Sequence, residues 1–323
     1  MNKQTLAYMV EKEDIPVYSA VLLAGLSFGA VPIFSALLRD SQVSSIEQSF
    51  IRLLIGSLAG IIIVMIYSKS IKSSFQISLS IPVQKTYIAQ GILLALSLNC
   101  YLASIVLRTP VGEAALLCQI HPVITLILAY IILKESITSK KIVSLIFAFC
   151  GIIFLTQPWE WSSFLSSISG DVLAMLSGVA YSVYIIIGKF SVSKRKKISP
   201  SLSIGWVLIW GFLMWIPLFL ITQLIALPPE ITSFDLLTYS TVKTVFLGVC
   251  LGTIGNIIPF GLIMLTTNRI ESSRTSILLL SEPIGAILLG ALILNESITV
   301  WYIFGGLFLL LAVIMIIPKK TQA

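Results

Sequence analysis

The chain has 323 residues, 57% of them hydrophobic and 11% charged, and its 21 Lys and Arg against 14 Asp and Glu give a formal net charge of +7. Soluble domains carry about a quarter charged residues, so this apolar excess rules out an ordinary water-soluble core. The apolar residues come in blocks of about twenty, the length that crosses ~30 Å of hydrocarbon. An all-α integral membrane protein is expected, with the lipid bilayer as its solvent.

Residues 1–16 mix Lys3, Glu11, Lys12, Glu13 and Asp14 before any apolar run begins. This is not the pattern of a cleavable signal, and the stretch reads as a cytoplasmic tail. Apolar blocks between polar breaks then predict membrane helices over 17–38, 46–68, 86–107, 112–133 and 141–157, followed by an external linker at 159–169. A second set is predicted over 171–192, 203–225, 244–266, 274–294 and 299–318, with a cytoplasmic tail at 319–323. Ten transmembrane helices leave both termini on one side. Cys100, Cys118, Cys150 and Cys250 all fall inside apolar runs, where cysteine acts as a small hydrophobe. No disulfide framework, metal site or cofactor is expected.

The positive-inside rule orients this arrangement. With both termini inside, 17 Lys and Arg lie on the inner side, against Arg39, Arg108 and Lys243 outside and Arg52 within a span. The net positive charge therefore reads as topology and not as a nucleic-acid surface. Both termini are expected in the cytoplasm of a multi-pass cell-membrane protein. The run Lys194 to Lys197 is a topology anchor or a patch for anionic lipid, and Trp159, Trp161 and Trp301 suit the headgroup belt.

The chain repeats itself. Ala114-Ala115-Leu116-Leu117-Cys118-Gln119-Ile120-His121-Pro122, with Lys134-Glu135-Ser136-Ile137-Thr138 after it, matches Thr275-Ser276-Ile277-Leu278-Leu279-Leu280-Ser281-Glu282-Pro283, followed by Asn295-Glu296-Ser297-Ile298-Thr299, at a constant offset of 161 residues. Phe28-Gly29-Ala30-Val31 aligns more weakly with Tyr181-Ser182-Val183-Tyr184. Each half, 17–158 and 170–318, holds an odd number of predicted spans. The second must enter the membrane from the opposite side, which makes the pair inverted five-helix repeats, as in many secondary transporters.

On these residues, and on Phe50-Ile51-Arg52-Leu53 in the second span, the chain resembles the drug/metabolite transporter superfamily, specifically proteins with two EamA-type repeats. It departs from that pattern in the seventh span, where Trp206, Trp210 and Trp215 occur without a counterpart of Arg52. The resemblance implies a substrate cavity between the halves, alternating access, and export or uptake of a small-molecule substrate. Amino acids, related organic solutes and drugs all fit that description.

Several polar residues inside the spans are candidates for substrate binding or coupling. Glu282 lies deep in the ninth span, where an ionised carboxylate costs ~2.5–3.5 kcal/mol unless it is paired, neutral or wet. It could couple transport to protons, bind a substrate amine, or hydrogen-bond across helices as a neutral acid. His121 holds the matching place in the fourth span and is the one histidine of the chain. It reads as a cavity-lining or proton-transfer group, or as a buried neutral imidazole. Asn99, Tyr101, Tyr181, Tyr184 and Asn256 supply groups that orient a polar ligand or join neighbouring helices. Pro122 and Pro283 each remove an intrahelical bond and free the carbonyls of Cys118 and Leu279, giving a kink that flexes or a packing bend. Arg52 lies ~9 Å below the outer end of its span. It either snorkels outward or gates the pathway with Glu113 or Asp171.

Two other functions compete. A non-transporting scaffold or lipid-handling protein would share the composition. An intramembrane serine hydrolase could use Ser27, within Gly25-Leu26-Ser27-Phe28-Gly29, with His121 as base, but a nucleophile elbow needs a strand-to-helix turn and these glycines suit close helix packing, as do Gly56 with Gly60 and Gly248 with Gly252. No Walker sequence points to ATP. Reporters fused after Lys197 and after Ala323 should score cytoplasmic and one within Leu227 to Thr241 external; an external C-terminus rejects the ten-span arrangement.

Overall fold

The computed structural model describes residues 3–107, 109, 111–156, 168–194, 198–225, 227–293 and 300–317, and every regular element among them is helical. Helix is what lipid demands, because a backbone without water must satisfy its own N–H and C=O groups. Trp159, Trp161, the basic run at 195–197 and the second Glu-Ser-Ile-Thr string at 296–299 lie outside the described residues, as do the side chains of Glu113 and Lys194.

In chain order the helices are α1 (Lys3–Phe28), α2 (Ala30–Arg39), α3 (Ser45–Ser70), α4 (Lys72–Ser78), α5 (Ile81–Val106), α6 (Val111–Cys118), α7 (His121–Leu128) and α8 (Ser139–Thr156). The second half contributes α9 (Ile168–Lys194), α10 (Pro200–Leu224), α11 (Val242–Gly252), α12 (Ile258–Thr266), α13 (Ser272–Leu278), α14 (Ser281–Ile293) and α15 (Val300–Ile316). Single π turns at Ala129–Leu133 and Thr253–Ile257 follow α7 and join α11 to α12.

Seven stretches of the described residues are long and apolar enough to cross a membrane: Pro16–Arg39, Ser45–Ser70, Ile81–Val106, Ile168–Ser191, Pro200–Leu224, Val242–Thr266 and Ser272–Ile293. His121–Leu133 and Val300–Ile316 are shorter apolar helices. Where the sequence predicts an unbroken fourth span, the chain instead breaks between Cys118 and His121, just before Pro122, and ends where Lys134 turns left-handed at φ 56°. At the other extreme, α1 already begins at Lys3, inside the stretch read as a tail.

Local chemistry sets several of these ends. Ser44 and Glu47 form a capping box at the start of α3, and the Thr241 hydroxyl accepts the Thr244 N–H at the start of α11. Prolines set the internal breaks. A proline cannot donate to the carbonyl four residues back and crowds it, and α1/α2, α6/α7, α11/α12 and α13/α14 each break within a few residues of Pro32, Pro122, Pro259 or Pro283.

The helices pack across the two halves. α5 lies against α9 and α10, α3 against α10, α1 against α12 and α14, α9 against α6 and α7, and α8 against α15. Exchanging the halves turns these contacts into one another. The polar groups point inward and the apolar ones outward: Ile62, Met65, Ile66, Ile146, Ile153, Leu292 and Ile303 are exposed, whereas Glu47, Gln48, Arg52, His121, Asn256 and Glu282 are buried. Water would penalise such a surface and lipid does not.

The expected small-residue contacts are present. Gly60 meets the backbone of Gly205, and Gly252 meets Ile55. A close crossing joins the break at Gly29 to α14, where a methyl on Gly29 would stand 2.5 Å from Ala286 N and 2.6 Å from Glu282 O. Backbone cannot yield as a side-chain tip does, so Gly29→Ala should lower unfolding stability in detergent by about 1–3 kcal/mol. Gly306→Ala, with nothing within 4 Å of the added methyl, should leave it unchanged or slightly raised.

Candidate functional site

At the centre of the bundle a cavity of about 40 Å³ is lined by Arg52, Ser97, Tyr101, Cys118, Ser177, Tyr181 and Glu282, together with Phe28, Val31, Leu98 and Phe260. Its walls come from α1, α2, α3, α5, α6, α9, α12 and α14, so both halves contribute. That volume holds a few water molecules and no metabolite.

Glu282 is not in the middle of a helix, as the unbroken ninth span implied, but is the second residue of α14. The break before Ser281 turns the positive end of a half-helix toward its carboxylate, a stabilising arrangement for an anion inside a membrane. Tyr101 OH donates to Oε1 at 3.4 Å and Gln119 Nε2 to Oε2 at 3.3 Å. His121, the repeat counterpart, is the first residue of α7. Of the two freed carbonyls, that of Leu279 takes the Glu282 N–H at 2.9 Å, while that of Cys118 lies against Gly178.

Arg52 does not snorkel. Its side chain is 1% exposed, and Nη2 donates to the carbonyl of Gly255. That carbonyl lies four residues before Pro259, so the proline that opens the π turn also leaves the acceptor for the guanidinium. Asn256 returns the contact, donating Nδ2 to the Arg52 carbonyl at 3.0 Å. Nε and Nη1 of Arg52 have no partner. Glu282 lines the same cavity, and no ion pair within 4.0 Å joins the two among the described residues.

The remaining candidates divide. Tyr181 lines the cavity with an unpartnered hydroxyl. Tyr184 stacks behind it at 5.8 Å. His121 sits edge-on to Tyr181 at 5.1 Å, and neither ring nitrogen has a partner. Asn99 faces away into a structural chain: its Oδ1 accepts from Ser49 Oγ at 2.6 Å, which accepts from Trp215 Nε1 at 3.0 Å. Asp171 is buried near the start of α9. Ser27 donates to Leu23 O within α1 at 2.8 Å, while His121 is turned toward Tyr181, so the two are not arranged as nucleophile and base.

Gln119, Ser97, Ser177 and the Gly255 carbonyl were not foreseen from sequence. Gln119 carried a signal, an amide inside an apolar span two residues before His121. Pro259 carried the same signal as Pro122. The tryptophans of α10 have structural partners in the first half, with Trp206 donating to Ser78 Oγ at 3.1 Å and Trp210 to Gln84 Oε1 at 2.7 Å.

The EamA-like transporter family matches this chain twice, over residues 15–157 and 168–317. The chain belongs to that family. An uncharacterized transporter of Archaeoglobus fulgidus is 28% identical over 214 residues, covering 65% of this chain and 68% of its own length. Another from the same organism is 23% identical over 297 residues and covers 92% of this chain and 94% of its own. The uncharacterized transporter YyaM of Bacillus subtilis is 30% identical over 134 residues, covering 41% of this chain and 42% of its own length. One crystal structure superposes with a TM-score of 0.65 at 15% identity, covering 93% of this chain and 96% of the other, so the two share a fold. This EamA-like protein is thus a multi-pass membrane protein of a transporter family.

The two charges of this cavity make a measurable prediction. Arg52→Ala should destabilise the protein by about 1–3 kcal/mol, because it leaves the freed carbonyl of Gly255 without its donor. In a double-mutant cycle with Glu282→Ala, thermal unfolding in detergent should give a coupling of at least about 1 kcal/mol. Strict additivity would mean that the two charges do not interact.

Proposed function

We propose that this EamA-like protein is a secondary transporter of small organic solutes, built as ten spans in two inverted five-helix repeats, 17–158 and 170–318, that alternate access to the central cavity. The observation that carries this reading is the placing of Arg52 and Glu282 on the wall of one cavity, with Nε and Nη1 of Arg52 and the hydroxyl of Tyr181 unpartnered. Buried polar groups are nearly always hydrogen-bonded, so these are donors that a ligand would satisfy. The two family matches and the exchange of contacts between halves support the repeat architecture. The charge bias supports cytoplasmic termini and a cell-membrane location.

One cation and one carboxylate facing the same space favour a solute that carries both signs, such as an amino acid. A singly charged ligand would leave one of them uncompensated in a medium of low dielectric. The aromatic wall of Phe28, Tyr181 and Phe260 would take the apolar part. At about 40 Å³ the cavity is smaller than such a solute, so binding would have to widen it. In this scheme Glu282 holds a proton or the solute amine, Pro122 and Pro283 mark the flexing points of α6/α7 and α13/α14, and an ion or solute gradient supplies the energy.

Counterflow of radiolabelled amino acids and metabolites in proteoliposomes tests the reading, with Glu282→Gln as the discriminating variant. The amide keeps the shape and much of the hydrogen bonding but cannot titrate. If Glu282 exchanges a proton, gradient-driven accumulation and its pH dependence should vanish while exchange at equal concentrations persists. If it binds the amine, exchange fails as well and binding weakens. Wild-type accumulation, exchange and pH profile in Glu282→Gln would remove the carboxylate from the mechanism.

A further inference from the structure

A second, smaller cavity lies beyond the central one. Tyr181 and Tyr184 stack on each other, and Phe260 stands edge-on to both, at 6.2 Å and 5.6 Å. Tyr181 faces the central cavity, and Tyr184 faces a cavity of about 20 Å³ lined also by Gln90, Lys189, Thr267, Ser272 and Thr275. These rings are therefore a partition one layer thick. Gln90 is 1% exposed, and its Nε2 has no partner. It lies over Gly188, where a methyl would stand 2.8 Å from that nitrogen. Gln90 thus lines this cavity as a buried amide with a donor that no protein group satisfies, one that a passing acceptor would take.

Lys189 lines the far side of this cavity, and charged groups beyond it join the two halves. Lys189 on α9 donates to the carbonyls of Thr267 and Ile270, just past the end of α12. Lys141, 1% exposed at the start of α8, donates to Ser136 O at 2.8 Å and pairs with Glu271 at 3.0 Å. Glu135 accepts from the backbone N–H groups of Ser272 and Ser273 at 2.8 and 3.2 Å. Glu271 also holds Arg274 at 3.0 Å, and Arg274 donates to Tyr18 OH at 3.2 Å. The segment between α12 and α13 is thus pinned from α1, α8, α9 and the turn after α7.

We propose that the solute route from the central cavity to the end of the bundle bearing Lys141 and Lys189 runs past Tyr184 through this second cavity, and that these two lysines are the latch that closes it. The proposal rests on reading the central cavity as the transport site. Each ammonium bridges elements from different parts of the bundle, so opening must exchange its protein partners for water or solute. Lys189 has a further role once released. Its third N–H and the Gln90 amide are both donors, and they would pass an acceptor group of the solute along the route.

The test needs no knowledge of the solute. Cys118 lines the central cavity and becomes a reporter once Cys100, Cys150 and Cys250 are changed to Ala. A membrane-impermeant maleimide is added to the vesicle face that carries Lys141. Lys141→Gln and Lys189→Gln should each speed Cys118 labelling from that face about tenfold, since the first removes one partner of the Lys141–Glu271 ion pair and the second leaves the Thr267 and Ile270 carbonyls without their charged donor. In a second protein, Lys141→Cys and Glu271→Cys are bridged by a short, reducible bifunctional thiol reagent. Labelling of Cys118 from that face should then stop, and return when the bridge is cleaved. This arm decides the matter if either glutamine variant fails to fold. Wild-type labelling rates in both folded glutamine variants, or labelling that persists through the bridge, would overturn the latch. Neither result bears on Glu282, whose exchange assay reports on the central cavity alone.

Discussion

The structure depends on one constraint of the bilayer: a backbone carbonyl released inside it must find a new donor. Pro259 releases the carbonyl of Gly255, and Arg52 takes it. A guanidinium that would otherwise be an expensive burial is thereby held in place on the wall of a cavity that contains Glu282, with two of its nitrogens unpartnered. Pro283 does the corresponding work in α13/α14. The break before it puts Glu282 at the positive end of a half-helix. Two prolines on different spans thus create the two charged groups of one site, each by interrupting the helix that would have hidden it.

The same arrangement explains why so many polar residues can lie inside a protein that is otherwise coated with isoleucine and leucine. Glu47 closes a capping box and accepts the Asp235 N–H, Gln48 joins Ser35 Oγ to the Val43 carbonyl, and Asn99 is tied to Ser49 and Trp215. These side chains do structural work and have partners. The groups around the cavity differ in having donors and acceptors to spare: Arg52, Gln119, Tyr181 and, beside them, His121. Spare capacity also occurs at Thr125, Ser144 and Asn256, so it is a spare donor together with a place on the cavity wall that marks Arg52 and Tyr181 as candidates to meet a ligand.

Hydropathy blocks, lysine placement and the repeated Pro and Glu-Ser-Ile-Thr strings made the helical membrane fold and the family legible, because these signals are local or periodic. Glu282, Arg52, Tyr101 and Tyr181 were legible as polar residues inside apolar blocks. Their neighbours were not. Asn99 and Tyr101 are two residues apart on α5, about 200° around the helix, and only the rotation of α5 against α3 and α9 decides that Tyr101 meets the cavity while Asn99 meets Ser49. The acceptor for Arg52 is a backbone oxygen more than two hundred residues away, a partner with no side-chain signature. Glu113 and Asp171 are visible as carboxylates, whereas a freed carbonyl carries no residue type of its own. Helix breaks within single spans escaped because hydropathy registers composition and not continuity.

The pairing of α8 with α15 bears on how the halves can move. These final helices of the two repeats cross at Gly151 and Gly305, where a methyl would meet backbone at 2.8 Å. Phe154 stacks on Phe308 at 5.5 Å and on Trp301 at 6.0 Å, with Phe147 against Phe308 at 5.8 Å. The two helices lie mainly against each other and turn apolar faces to the lipid. In the proposed alternation such a pair would be a fulcrum: it would let the repeats rock but resist their parting, so the travel available at the cavity would be set by the lever arms of the broken helices. Lipids that thicken or thin the bilayer around this fulcrum would act on the rate of rocking without touching the solute.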